Sequence, residues 1–485
     1  MVSQDIYSGS GIIFKIGKSL LGLSFLALLS AGHLHAAIYP VSNASPPPVE
    51  PLSTRFSIGV GSTKVPVYLA RICNLTAAQR QPLGQSLPEN TAETAFASFD
   101  LTGTSTVTVT CQEPIQNVKL LPSSTGITPT VSGSNITFPV SRPGELTLEV
   151  NGDWISSLHI FVNPPDANIP SPKDPNVIYY GPGIHVVQTI PVTSGKTVYL
   201  APGAVVYGMV DPGATRGAIF SINGSNIVLR GRGIIDGSLC PRGTRSILAI
   251  TGTNVQLEGV ILRDSCGFTM PIRRSDTVKV SNVKIFGWRG NSDGMDICNS
   301  RNVDVSDSFV RTFDDLIVVK TDKGQGEASG ITVRRCVLWN EFAHALSLGA
   351  ELREPVSNVT FSDCDIIHDK GREWLLRIYN CDSSWVKNTT FADIRIEEAR
   401  RLISLWIGKA VWSKEAERGH IENVSFQNIT SVVPERWNPL ADLVGFDAEH
   451  TVDNVQFQHV LVGGKPLRPA DIKQNAFVHG IQILR

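Results

Sequence analysis

No two of the eight cysteines are spaced as Cys-x-x-Cys. That absence argues against a structural zinc site, which needs thiolates paired closely along the chain. No charge of one sign prevails either: 43 Lys and Arg face 44 Asp and Glu, a formal charge of -1. A chain without a basic field lacks the electrostatic footprint that holds nucleic acid or an anionic bilayer. Beyond the N-terminal stretch no run is long and apolar enough to span a membrane, and no low-complexity tract occurs. Gly231-Arg232-Gly233-Ile234-Ile235-Asp236-Gly237 lacks the third glycine and the strand–helix context of a dinucleotide site, so it reads as turns. No cofactor and no metal is expected. At 485 residues, 42% of them hydrophobic, the chain can bury a large core and hold more than one domain.

What is present begins with an export signal. Lys15 and Lys18 precede an apolar stretch from Leu20 to Leu29, followed by small residues and Leu34-His35-Ala36. That order is a signal peptide with a cut after residue 36, so a secreted or periplasmic protein without a membrane anchor is expected. Export permits disulfides, with Cys73 and Cys111 as a candidate pair. Cys336 and Cys364 are 28 residues apart and are expected to stack as neighbours in a repeating core. From about Phe56 to Phe161 short runs such as Ser105-Thr106-Val107-Thr108-Val109-Thr110 alternate apolar and polar, which marks residues 37–165 as a small antiparallel β-sandwich domain. A Pro-rich stretch from Asn163 to Pro175 sets a domain boundary, and residues 166–485 form a second domain.

This second domain repeats itself. Runs of alternating apolar and polar residues start at Asn226, Asn254, Thr277, Asn302, Gly330, Asn358, Asn388, Asn423 and Asn454. The starts are 28, 23, 25, 28, 28, 30, 35 and 31 residues apart. Period-two alternation marks strands with one face buried, and a repeat of this length marks a solenoid. Leucine-rich repeats would need a leucine scaffold, whereas Val, Ile and Phe fill the inward positions here. A propeller would need longer units. The recurrent Asn suits a parallel β-helix, in which it can stack as a side-chain ladder.

Successive coils then bring distant residues together. Asp293 lies 16 residues into its coil, Asp314 and Asp315 lie 12 and 13 into theirs, His344 lies 14 and Arg377 lies 19. With adjacent coils about 4.8 Å apart, these side chains are expected at one corner as a row of acids with a His and an Arg beside it. Glycoside hydrolysis needs such a row: one carboxylic acid protonates the departing oxygen and another carboxylate activates water or attacks the sugar. No basic residue except Arg289 is expected among the acids. Coil spacing alone points to retention, because inverting carboxylates usually stand about 6.5–9.5 Å apart.

Asn291-Ser292-Asp293, Asp314-Asp315, Ala343-His344-Ala345 and Arg377-Ile378-Tyr379 occur in the order of four signatures of the polygalacturonase family, glycoside hydrolase family 28. The chain resembles that family from about Val177 to Val433, including the Gly-rich coil at Gly231. The resemblance implies a right-handed parallel β-helix and an inverting hydrolase of an α-linked, often pectic, polysaccharide. It implies Asp314 as general acid, with His344 assisting that acid, and Asp293 and Asp315 as the residues that hold and activate water. Asn291, Arg377 and Tyr379 fall at substrate-binding positions. Two departures stand out: Tyr379 replaces the family's Lys, and Ala343 and Ala345 replace glycines. A phenol cannot neutralise a uronate, so the sugar stays open. The expected partner is a polysaccharide, bound by a monomer.

Three other readings compete. A family 49-like dextranase or isopullulanase also joins a β-sandwich to a β-helix with three aspartates. A polysaccharide lyase on the same fold would use calcium and a basic residue. A non-catalytic glycan-binding β-helix would use neither. Trp288, Trp374 and Trp406 are candidates for stacking on sugars, and loops around Leu352-Arg353-Glu354 and Lys409-Ala410-Val411-Trp412 are expected to shape the cleft.

Overall fold

The structure is a computed structural model that describes residues 46–47, 49–75, 90–436 and 438–484; the expected signal peptide lies outside them. Among the described residues, the strands from Phe56–Val60 to Asp153–Asn163 form two five-stranded sheets. In Ser105–Cys111 the valines are buried and the threonines turn outward, as the alternation predicts. The facing sides of the two sheets meet in one core that includes Phe56, Ile58, Val107, Leu148 and Ile160. Pairing is antiparallel except between Thr91–Asp100 and Asp153–Asn163, which run parallel. The chain between those two strands winds through both sheets before returning, so nothing forces them into opposite directions.

From Val177–Tyr180 onward the strands of the described residues stack as a β-helix, in one sheet of 22 strands and another of 12, all parallel but for the pair Leu461–Val462 and Lys465–Pro466. Inward residues sit in register, as in Val278, Val303, Ile331 and Val359, and fill a continuous core. The residue that opens each repeat is a bend rather than an entrance. Asn226, Asn254, Thr277, Asn302, Gly330, Asn358, Asn388, Asn423 and Asn454 all have φ between 54° and 64°. Most L-residues avoid that left-handed region, whereas Gly and Asn tolerate it, which explains the recurrence. The amides also form the expected ladder: Nδ2 of Asn254, Asn388, Asn423 and Asn454 donates to Oδ1 of Asn226, Asn358, Asn388 and Asn423 at 2.7–3.2 Å.

The 12-stranded sheet is apolar on both faces. Ile285, Val310 and Leu338 point into the helix, while Phe286, Phe309 and Trp339 point outward and pack against Ile72, Phe96 and Phe161 of the N-terminal sheets. The sandwich therefore lies along the side of the helix, from Val205 to Ile367, rather than capping its first coil. Arg311 is fully buried beneath it, stacked 3.7 Å from the Trp339 ring and donating to Glu341 at 2.8 Å. Burial and the adjacent Arg311 hold His159 well below the usual imidazole range, so its Nε2 accepts from Arg311 at 3.2 Å.

All eight cysteines are buried free thiols. The expected Cys73–Cys111 pair is not made, because Cys111 points into the sandwich core while Cys73 packs with Leu75, Phe313 and Phe342. Cys336 and Cys364 do stack as neighbours in the helix core.

Candidate active site

Strand register, rather than proximity in sequence, assembles the acids. Met295 pairs with Ile317, and Ile317 with Leu346. Two residues upstream of those partners stand Asp293, Asp315 and His344, which therefore occupy one position on three successive coils. Asp314 comes one residue earlier. Arg377 does not share that corner: Leu376 pairs with Leu346, so Trp374 is the residue in register with His344. Arg377 lies inside the next strand, paired with Ser347. Single oxygens of Asp293, Asp314 and Asp315 lie within 4.8 Å of one another.

Asp293 and Asp315 are buried at 2% and 7% exposure, whereas Asp314 is partly open to solvent. Backbone N–H groups of Asn291 and Asp315 donate to Asp314 at 3.1 Å each. Asn291 thus reaches the site through its main chain, held at φ 63°. His344 donates from Nδ1 to the Trp374 carbonyl at 2.8 Å, which fixes the ring. Its Nε2 then stands 3.8 Å from Asp315 Oδ1. Burial, with Arg377 nearby, holds His344 well below the ordinary imidazole value, so this nitrogen is an acceptor in the unliganded protein.

A cation that sequence reasoning missed completes the cluster. Lys320 Nζ lies 2.9 Å from Asp293, 2.8 Å from Asp296 and 3.8 Å from Asp315. Arg289 is elsewhere, stacked over Trp288 and donating to the Cys240 carbonyl. The signal was nevertheless visible. Ile317 and Val319 are core residues, so period-two alternation turns Lys320 outward, beside the coil that carries Asp296. Burial would lower the Lys320 ammonium, but Asp293, Asp296 and Asp315 outweigh it and hold the group well above the usual lysine value. Burial pushes Asp293 well above the carboxylate range, with Asp296 adding to the rise and Lys320 opposing it. Burial likewise raises Asp315 to about 7 against the pull of Lys320. One ammonium facing three carboxylates leaves surplus negative charge, so the buried acids retain a proton near neutrality.

Downstream of the acids the side chains become aromatic. Tyr379 stacks on Trp406 at 4.4 Å and meets the edge of Trp412, which is 45% exposed. The Arg377 guanidinium lies 4.7 Å from the Tyr379 ring centroid, and its buried Nε has no partner among the described residues. Trp288 is not part of this surface: its indole N–H donates to Asp264 at 2.7 Å in a buried position.

Such a helix has known counterparts. Dex49A from Penicillium minioluteum superposes with a TM-score of 0.59 at 14% identity, covering 92% of this chain and 96% of that one. A hyperthermoactive exopolygalacturonase from Thermotoga maritima gives 0.51 at 14% identity, covering 64% and 84%. These likenesses define the class, a right-handed parallel β-helix. Residues 213–473 match the sequence model of glycosyl hydrolases family 28, and the chain belongs to that family. An endo-polygalacturonase of Pectobacterium carotovorum subsp. carotovorum is 32% identical over 114 residues, 23% of this chain and 27% of that protein. An exopolygalacturonase of Arabidopsis thaliana is 29% identical over 125 residues, 24% and 28% of the two chains. The matches thus span about a quarter of the length of these relatives.

Proposed function

We propose that the protein is an exported glycoside hydrolase of polygalacturonase type, cleaving an α-linked polysaccharide. The observation that carries this reading is the register of Asp293, Asp315 and His344 with Asp314 beside them. It gathers acids from separate stretches of chain into one cluster. Asp314, the most exposed of the three, is the general acid that protonates the glycosidic oxygen. Asp293 and Asp315 hold a water, and the one that is ionised accepts its proton as it attacks the anomeric carbon. His344 Nε2 orients that pair. Arg377, with an unpartnered Nε, binds the sugar next to the cut. Three further points support a hydrolase over a lyase. Lys320, hemmed in by carboxylates, stays protonated and makes a poor base for proton abstraction. Asp314 stands where a leaving oxygen can reach it, and family 28 is a family of glycosyl hydrolases. Among the described residues no helix is long and apolar enough to cross a membrane; the N-terminal signal supports export.

The short carboxylate spacing taken alone favours retention, whereas family membership favours inversion, and inversion is the reading adopted. A panel of pectins, dextran and pullulan, assayed by released reducing ends, tests hydrolysis; NMR of the first-formed anomer on any hit tests inversion. No cut glycan in the panel, together with tight binding of one, would replace the enzyme by a binding module. The aromatic wall supports a second reading for the sugar. Tyr379, stacked on Trp406, suits a neutral pyranose better than a free uronate, which brings α-glucans into the panel beside pectins.

A further inference from the structure

Lys320 is a charged side chain with no place in the two-acid mechanism, yet it pairs with Asp293 and Asp296 and stands 3.8 Å from Asp315. Around it stand Asp293 and Asp296 from the preceding coil, Asp315 from its own, and Glu351 and His344 from the following one. Phe268 closes the remaining side with its ring centroid 4.7 Å from Nζ. Arg273 and Asp322 face the adjacent Cys298, and Arg377 faces Asp315. Asp296 is fully buried and has an oxygen without a partner, as do Asp293 and Asp315.

We propose that Lys320 is a positioning residue of the acid cluster, whose ammonium fixes Asp293 in that cluster and stabilises the ionised form of the Asp293–Asp315 pair. Asp296 is its anchor: that carboxylate draws Nζ toward the strand Met295–Cys298 and shares its charge. The argument is geometric. A carboxylate that must take a proton from water has to be ionised before the substrate arrives, and two buried acids at this spacing oppose each other's ionisation. A single fixed cation, 2.9 Å from one and 3.8 Å from the other, removes part of that opposition without touching substrate. The cation thereby sets the lower pH limit of turnover, while Asp296 moderates it.

The proposal rests on the hydrolase reading, so its test carries a readout that needs no substrate. Infrared titration of the protonated-carboxyl band counts protons on the full-length protein. Lys320→Met is expected to gain one protonated carboxyl near pH 7, and Lys320→Arg to gain none. On any glycan that the wild type cuts and Asp314→Asn does not, Lys320→Met is expected to move the acid limb of kcat/KM up by at least one pH unit. Loss exceeds tenfold at pH 6 and shrinks as pH rises, with KM changed less than threefold. Asp296→Asn leaves Lys320 more charge for the other two acids and is expected to move the limb down. A loss equal at all pH values, or no change in proton count, overturns the proposal. Should Lys320→Met fail to fold, the sign of the Asp296→Asn shift decides. Should no glycan be cut, the hydrolase reading fails, while the infrared count still judges the charge role.

Discussion

Each coil of the helix turns two comparable corners, and they use sequence in opposite ways. At the asparagine corner nine coils repeat one backbone geometry and nearly one residue, because φ near 55° leaves few choices. At the acid corner register aligns Phe268, Asp293, Asp315, His344, Trp374 and Arg401, almost all different. Where geometry constrains, the repeat is kept; where chemistry acts, each coil contributes its own group. The comparison breaks most sharply under a pair of variants. Asp314→Asn is expected to lower turnover about 10²–10⁴-fold with the melting temperature unchanged. Asn358→Ala is expected to lower stability by about 1–2 kcal/mol, losing an amide ladder bond and leaving Ala in the left-handed region, with turnover unchanged. Reducing-end assays and thermal unfolding on the two proteins read both effects; a stability loss in the first and a rate loss in the second would erase the distinction.

The acid corner should also cost stability where the other corner contributes it. Asp315 is raised by burial to about 7, from about 3.9 in an unfolded chain. A carboxyl raised by folding supports the native state below the unfolded value and loses that support as pH climbs through the folded one. The wild type is thus expected to lose stability between about pH 4 and 7 on account of Asp315. Asp315→Asn removes the buried charge and should be the more stable protein at pH 8, by about 1–3 kcal/mol, since each tenfold change in proton affinity on folding is worth about 1.4 kcal/mol. The gap should close by pH 4 in denaturant titrations. A gap of the same size at both pH values would mean packing, not charge, is responsible.

How legible each corner was follows from the same contrast. The asparagine corner and the inward Val, Ile and Phe positions were readable because a solenoid repeats its constraint in every coil. The acid row was readable because Asp293, Asp315 and His344 each precede their strand by two residues. Arg377 was placed at that corner because a loop before it disguised the register. Lys320 was missed because it lies within a strand rather than in a loop, and its two nearest partners, Asp293 and Asp296, come from the preceding coil. The parallel strand pair of the sandwich was hidden for a different reason: alternation gives burial but says nothing of direction.

Beyond the acid corner, inside the strand that carries Arg377, Tyr379 tests whether variation there encodes the sugar. Its hydroxyl is pushed up to about 12 by burial, so it remains neutral under all working conditions. Tyr379→Lys places an ammonium beside Arg377 and removes the ring from Trp406. It is expected to shift kcat/KM about tenfold toward free uronate substrates over neutral or esterified ones, an effect near 1.4 kcal/mol. Paired kinetics on de-esterified and methyl-esterified pectin and on dextran measure it. Equal changes on all substrates would assign Tyr379 to packing alone.

The smallest effect lies at the asparagine corner, where one coil breaks the rule. Thr277 holds φ 60°, a conformation that a β-branched residue adopts only under strain. The ladder slips there: Thr277 Oγ1 donates to Asp276 Oδ1 at 3.0 Å, and Asn302 Nδ2 donates to the same oxygen at 2.9 Å. Thr277→Asn supplies a side chain that tolerates this bend and offers an amide oxygen to Asn302. The gain in stability should be about 0.5–1 kcal/mol, the usual size of one net hydrogen bond or one relieved backbone conflict. Because Asp276 already satisfies Asn302, relief of strain is the larger share, so Thr277→Gly should recover most of the same gain. Unfolding midpoints for the two variants separate these contributions. If both leave the midpoint unchanged, the repeated asparagines reflect ladder bonding rather than the backbone angle they share.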